Sequence, residues 1–474
     1  MKKKFFLLIA LAILNLLSIQ AVTTRYVTTT GSDSNDGATW ANAKLTFTSA
    51  LTASASGDVI YVAKGTYQVS STVIMVSGVN VYGGYNDATG LRDIVNNKTI
   101  VQNTASDTRV LNGGNLAVET IWDGFTITGG SRTTAGAGAQ IGTNSTLSNC
   151  IITGNNNTGT TGSTGGGVNF TGSGKLLNCI IENNTSTGVG AGISCLGGDG
   201  IIENCIIRNN KATGTTSVGG VVMRGNSVMK NCIVANNEAT AGSNGGINAY
   251  GNSKVINCTV VNNKAATSFG ATYLGGTASI INSIIWNNTS ATNVFGADAT
   301  VTMTTCAVQS SASAGSFLLN ASNTASDGPN FVSPSTTIGY TTDNLGLASW
   351  RLQYNSPCVD AGTDATSFGI TTDIKGVSRP YDRGFDIGAY EYNGTTSVPS
   401  VRGAETLSLY PNPMKDIVTI NVANISSISA FDVTGKEVSI KYMDSKVDVS
   451  NLSKGIYLFI ISADNKTYFA RGIK

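Results

Sequence analysis

Cysteines recur at a nearly constant interval through the middle of this 474-residue chain, and thiols at fixed spacing could serve metal, redox or nucleophilic chemistry. Cys150, Cys179, Cys205, Cys232, Cys258 and Cys306, with Ser283 filling one place, are separated by 29, 26, 27, 26, 25 and 23 residues. A metal site needs ligands that converge on one point, whereas these are single residues one repeat apart. The chain has no histidine, which removes Cys-His and Ser-His-Asp nucleophiles and histidine-ligated zinc together. Acid–base work would fall to Asp, Glu, Lys, Arg or Tyr. Two readings of the column stay open. Adjacent turns lie near the Cα separation that a disulfide tolerates in an exported protein. Alternatively the thiols are small apolar groups stacked in a core, which the Ser283 copy favours.

The elements that would position these residues follow from the phrase around each cysteine. Asn-Cys-Ile-Ile-x-Asn-Asn occurs at 178–184 and 204–210, with close variants at 231–237, 257–263 and 282–288. A Gly-rich turn leading into a short apolar strand, as at Gly219-Gly220-Val221 and Gly245-Gly246-Ile247, is the second landmark. Short β-branched runs punctuated by Gly and Asn, with no 3.6-residue apolar stripe, specify strands rather than helices. A period of this length means one stacked supersecondary unit per repeat, so the fold class is all-β, a parallel β-solenoid. Stacking puts Asn in ladders and Ile and Val in core columns.

Superposing the repeats places Glu182 against Arg208, Glu203 against Lys230, and Lys211, Glu238 and Lys264 in one column. Arg224 falls one coil before Tyr250, a cation–π arrangement. Residues 136–288 carry seven basic and four acidic groups. Arg208, Arg224, Tyr250 and Trp286 are the candidate ligand contacts, and no catalytic residue is assigned. Without Lys2, Lys3 and Lys4 the chain has 27 basic and 28 acidic side chains, a net of −1, which gives nucleic-acid binding no support.

These motifs resemble the right-handed single-stranded parallel β-helix of pectin-lyase-like proteins and, more loosely, the repeats of polymorphic outer-membrane adhesins. The resemblance, over roughly residues 75–310, implies the handedness. Residues 1–21, basic then apolar, read as a signal peptide, and no other stretch reads as a membrane span. Residues 22–57 resemble the N-terminal cap of secreted β-helix proteins. Within them Asp33, Asn35 and Asp36 form either a hydrogen-bonded turn or a calcium loop, although the later acidic ligand of an EF-hand is missing. Repeats are expected over 58–310. Closing coils and a D-I-G-A-Y-E-type module follow over 311–392, with Asp360, Arg379, Asp382, Arg383, Asp386 and Glu391 as a closing network. After a linker at 393–404, residues 405–474 resemble the type A C-terminal sorting domain of the type IX secretion system, a small β-sandwich. Tyr410, Pro411, Asn412, Pro413, Gly435, Gly455, Tyr457 and Lys474 carry that match. The resemblance implies a passenger on the cell surface of a Gram-negative bacterium, with the secretion machinery as partner. Paired charges and regular coils favour a non-catalytic adhesin, glycan-binding or structural surface protein. The alternative is a lyase or glycosidase acting on an acidic polysaccharide.

Overall fold

A computed structural model describes residues 22–159, 164–309, 317–319, 328–342, 345–393, 405–407, 409–422, 424–433, 436–464 and 466–474. The signal-peptide reading of residues 1–21, the linker reading beyond residue 393 and the sorting-motif glycine Gly435 lie outside them. The chain divides into two units, Met1–Thr395 and Thr396–Lys474.

The first unit is a parallel β-helix of about nine turns. One coil shows why the repeat has its form. Val221–Met223 belongs to the third sheet, Val228–Lys230 to the first and Ile233–Ala235 to the second, and the two-residue strand Glu238–Ala239 closes the turn. The first and second sheets each have 11 strands, the third has nine, and the row of two-residue strands has six. Stacked strands pair parallel and in register, Ile207 on Val234 and Val234 on Val260. Inward side chains such as Ile181, Ile207, Val234 and Val260 are completely buried.

The first two asparagines of the phrase are corner residues. Asn231 and Asn236 have φ of 50° and 57°, and the equivalent asparagines in neighbouring coils repeat these values. Asn enters the left-handed region at lower cost than other non-glycine residues because its short polar side chain bonds locally. Gly154 takes the second corner one coil before Asn183, at φ 66°.

The third asparagine points inward. Asn155, Asn184, Asn210, Asn237, Asn263 and Asn288 form a buried ladder in which each Nδ2 donates to the next Oδ1 at 2.9–3.0 Å. The same Oδ1 atoms accept a backbone N–H, as Asn237 does from Asn210, so the amides are satisfied without water. All eight cysteines are free, buried thiols. Burial pushes Cys150 well above the usual thiol range and Cys306 up to about 12. Cys195 faces the same core from the third sheet.

The N-terminal end is closed by the helix Phe47–Thr52, whose Thr46 N-cap accepts from Ser49 N. Phe47 packs 5.2 Å from Tyr67 and 5.4 Å from Trp122, covering core that an open end would expose. The residues weighed for calcium are engaged in the turn. Asp33 accepts from the Leu45 and Thr46 amides and the Thr46 hydroxyl, and Asn35 donates to the Ala43 carbonyl. Burial would raise the Asp33 pKa, but these hydrogen bonds and Lys44 outweigh it and hold the carboxyl low.

The described residues of 328–392 add no strand to the sheets of the helix. Phe317–Leu319 pairs with Cys306–Val308 as a last rung, and from Gly328 the chain turns back along the outside of the helix as a strap. On one edge of the second sheet the corner amides of Asn262, Asn236 and Asn209 donate in turn to the carbonyls of Ser335, Thr337 and Thr341. On the other edge Asn282, Asn257 and Asn231 donate to the carbonyls of Thr363, Asp386 and Thr372. The reason lies in the outward positions of these coils, which are apolar. Ile233, Ala235 and Val261 are buried with Trp350, and Ile256 is buried with Ala365, Ile370 and Phe385. Arg379 and Glu391 pair inside the strap, Asp386 accepts from the Asp360 amide, and Asp360 accepts from the amides of Arg383 and Gly384. Asp382 is exposed.

The second unit contains a five-stranded and a four-stranded sheet, packed around Val418, Ile420, Val447, Phe459 and Ile461.

Candidate functional site

Arg224 and Tyr250 come together on the third-sheet flank, as their spacing requires. Each follows a third-sheet strand, Val221–Met223 and Ile247–Ala249, so stacking sets one above the other. The Arg224 guanidinium lies 3.9 Å from the Tyr250 ring centroid. Burial lowers the Arg224 pKa and Tyr250 partly restores it, so the cation is desolvated enough for the ring's quadrupole to matter.

Structure adds residues to this pair. Tyr273 lies one coil on from Asn248, its ring centroid 5.3 Å from that of Tyr250 and tilted by 42°, and Phe269 lies 4.7 Å from Tyr273. The Tyr273 hydroxyl donates to Asp298 Oδ1 at 2.6 Å, and this bond, with burial, raises its pKa. Phe269 has φ of 57°, an outlier for a bulky side chain that costs roughly 1–3 kcal/mol. Glycines leave room for the rings: a Cβ on Gly296 would collide with the Phe269 and Tyr273 rings, and one on Gly275 with the Tyr250 ring. The result is a half-buried row of one guanidinium and three rings.

Polar groups on the same flank lack partners. Arg224 Nη1, Asn244 Oδ1 and Asn248 Oδ1 are buried without a hydrogen-bond partner, a state that costs about 1–3 kcal/mol per group. Tyr273 and Phe269 escaped sequence reading because neither repeats. Tyr273 takes the place of Val222 and Asn248 in the two coils before it, and Phe269 that of Val218 and Asn244, three coils on from Gly190.

The other two candidates lie on the second sheet. Arg208 donates to Glu182 at 2.7 Å from both Nε and Nη2. It lines a cleft of about 350 Å³ with Asn183, Asn209, Tyr340, Thr341 and Leu345, where the strap ends its backward run. Trp286 sits farther along the same outward column, beside Phe331 and Trp350 beneath the strap. The carboxylates of the repeat body all have partners: Glu203 bonds Lys230 at 3.1 Å, Glu238 bonds Lys264 at 3.1 Å, and Asp199 accepts from Asn226. No group of three or more His, Cys, Asp or Glu suited to a metal occurs among the described residues.

In the second unit, the sorting-motif residues converge on the chain end. Asn412 donates to the Arg471 carbonyl and accepts from Ile473 N, both at 2.9 Å. Gly455 and Lys474 exchange two backbone bonds, at 2.8 and 3.1 Å. Tyr457 is buried, with its hydroxyl on the Ser453 carbonyl, whereas Tyr410, ahead of Pro411 and Pro413, is 78% exposed.

Fold and site together define an exported β-helix protein with a secretion-sorting module. The family described as "Right handed beta helix region" matches residues 68–265 and 166–332, more than half of the chain, and the chain belongs to that family. The "Secretion system C-terminal sorting domain" matches residues 408–474. That tail directs the protein through type IX secretion to the cell surface or beyond it in a Gram-negative bacterium. No described helix is long and apolar enough to cross a membrane. No curated protein matches. Among solved structures the chain is similar to pectate lyase Pel9A, with 15% identity, TM-score 0.43, and 79% of this chain and 98% of that one covered. A rhamnogalacturonan lyase matches at 14% identity and TM-score 0.37, covering 75% and 94%. The tailspike protein gp49 from Acinetobacter baumannii bacteriophage Fri1, a capsular polysaccharide depolymerase, matches at 11% and TM-score 0.31, covering 88% and 73%.

Proposed function

We propose that this protein is a non-catalytic, glycan-binding surface protein delivered by type IX secretion, with its ligand contact on the third-sheet flank. The observation that carries this reading is the row Arg224, Tyr250, Tyr273 and Phe269. Aromatic faces stack on the C–H faces of sugar rings, and the guanidinium and Asp298 beside them supply polar contacts that orient a hydroxylated ligand. The strained Phe269 supports it further, since backbone strain clusters at ligand sites.

The alternative reading is a polysaccharide lyase or glycosidase. Elimination from an acidic sugar needs a base free to take a proton, and the Arg208 guanidinium is already engaged by Glu182 through two 2.7 Å bonds. A glycosidase needs two carboxylates facing each other across a groove, and those of the repeat body are taken by neighbouring coils. Binding without turnover therefore accounts for more of the side chains.

The test is a glycan array probed with the full chain, with Tyr250→Ala and Tyr273→Ala as comparators. Saccharide retention that both variants lose is expected. Formation of an unsaturated product from acidic polysaccharides, followed by its absorbance, would overturn the non-catalytic reading, and retention indifferent to both substitutions would move the site elsewhere.

A further inference from the structure

A second aromatic face lies at the opposite end of the helix, on the outer side of the first sheet. Tyr26, Tyr61 and Tyr82 occupy one register column on three successive strands, Thr24–Val27, Val59–Ala63 and Asn80–Tyr85. Their centroids are 5.9 and 6.2 Å apart, and successive rings meet edge to face at 75° and 64°. Trp40 stands 4.6 Å from Tyr26, and Tyr85 stacks on Tyr61 at 4.5 Å and 27°. All five are half-buried.

Nothing in the solenoid requires rings there. The inward residues of these strands, Val27, Ile60, Val62 and Val81, already fill the core. Farther along, the same outward column holds Ser148, Leu177, Glu203 and Lys230, and at Ile256 it passes beneath the strap. The rings are thus confined to coils before the strap-covered part of that column.

The charge that interrupts the column is neutralised. Tyr82 pairs in register with Asp123, and Asp123 is bonded by Arg92. The Arg92 guanidinium lies 5.4 Å from the Tyr82 centroid and 5.9 Å from that of Tyr85. Burial raises the pKa of Tyr85 to about 12 and moves Tyr82 the same way, so the phenols stay neutral and able to donate hydrogen bonds.

We infer that this face is a binding platform for an uncharged polysaccharide, separate from the Arg224 site. Successive strands stand about 4.8 Å apart, so the column offers a staircase of rings along the helix axis, which suits an extended chain. Exposed ring faces meet the sugar C–H faces, phenol hydroxyls meet sugar hydroxyls, and the column's one carboxylate among these coils, Asp123, is already paired with Arg92, so a charged polymer gains no partner in it.

The experiment is affinity electrophoresis of the full chain in gels containing xylan or a neutral β-glucan, with polygalacturonate as the charged control. A neutral polymer should retard the wild type. Tyr61→Ala should weaken that retardation by about 5- to 10-fold, in line with the loss of one aromatic contact, and Asp382→Asn, at an exposed strap position outside both ring rows, should leave it unchanged. Circular-dichroism melting shows whether Tyr61→Ala folds. If it does not, a shift of tryptophan emission on titrating the wild type with xylo-oligosaccharide, lost in Trp40→Phe, reads the same face. Retardation by polygalacturonate alone, retardation unaltered in a folded Tyr61→Ala variant, or no effect of any neutral glycan overturns the proposal. So does self-association that Tyr61→Ala abolishes, since the face would then be taken by a second copy.

Discussion

Arg379 and Glu391 form a 2.8 Å ion pair in which neither side chain is exposed. The pair holds the strap together, because Arg379 also donates to the carbonyls of Asp386 and Gly388 and Glu391 accepts from the amides of Tyr381 and Asp386. Removing one partner leaves a buried charge uncompensated, which costs about 3–5 kcal/mol, whereas replacing both with apolar groups is often neutral. Glu391→Gln should therefore open residues 328–392 to protease at lower denaturant than wild type. Arg379→Met with Glu391→Leu should recover much of that loss.

The strap should loosen as pH rises. Burial and the neighbouring Glu391 charge raise the Asp386 pKa to about 7, above its ordinary unfolded value near 3.9. Between those values the folded state binds the extra proton, so this contribution is complete below about pH 4 and is lost as pH passes through about 7. Strap protection in hydrogen exchange, referred to an unstructured peptide at each pH, should fall from pH 5 to pH 8. In Asp386→Asn this slope should flatten.

The asparagine columns should respond differently to substitution. Asn210→Ala orphans the Asn184 backbone N–H and leaves the Asn184 side-chain amide only its bond to the Ile152 carbonyl, at about 1–3 kcal/mol for the orphaned group. Asn178 is an exposed corner at φ 54°, so Asn178→Gly should be near neutral, while Asn178→Val should cost about 1–2 kcal/mol. Urea unfolding of all three separates ladder from corner, and equal losses would contradict the division.

That division also marks what the sequence could disclose. Register alone paired Glu182 with Arg208 and Arg224 with Tyr250, because a constant period carries a residue onto its neighbour. It identified asparagine ladders but not which asparagine formed them, since the phrase does not show that its first two lie at positive φ. The strap was not legible as a strap: residues 328–392 have no period, and their partners are corner amides 73 to 141 residues away, such as Asn209 for Thr341. The N-terminal rings were hidden for a related reason. Tyr26, Tyr61 and Tyr82 are 35 and 21 residues apart, so no single period aligns them.

The thiol column should be chemically silent in the folded protein. Cys179, Cys205, Cys232 and Cys258 are at most 1% exposed, and reactivity requires an accessible thiolate. A thiol-reactive chromophore at pH 8 should label none of the column until denaturant is added. Cys232→Ser should be tolerated, because Ser283 already shows the substitute's bonding, donating to the Ile281 carbonyl and accepting from Cys258 N at 3.0 Å. Rapid labelling of the native protein would contradict the closed core.

Phe269 should separate stability from binding. Its left-handed backbone costs roughly 1–3 kcal/mol, and its ring contributes about 0.5–1.5 kcal/mol through contact with Tyr273. Asn adopts that backbone more readily, so Phe269→Asn exchanges a ring contact for relief of strain. Its unfolding midpoint should match or exceed that of wild type, while saccharide retention through the Arg224 row falls. A variant that loses stability and keeps retention would show Phe269 to be a packing residue, and the strain would then have no part in ligand recognition.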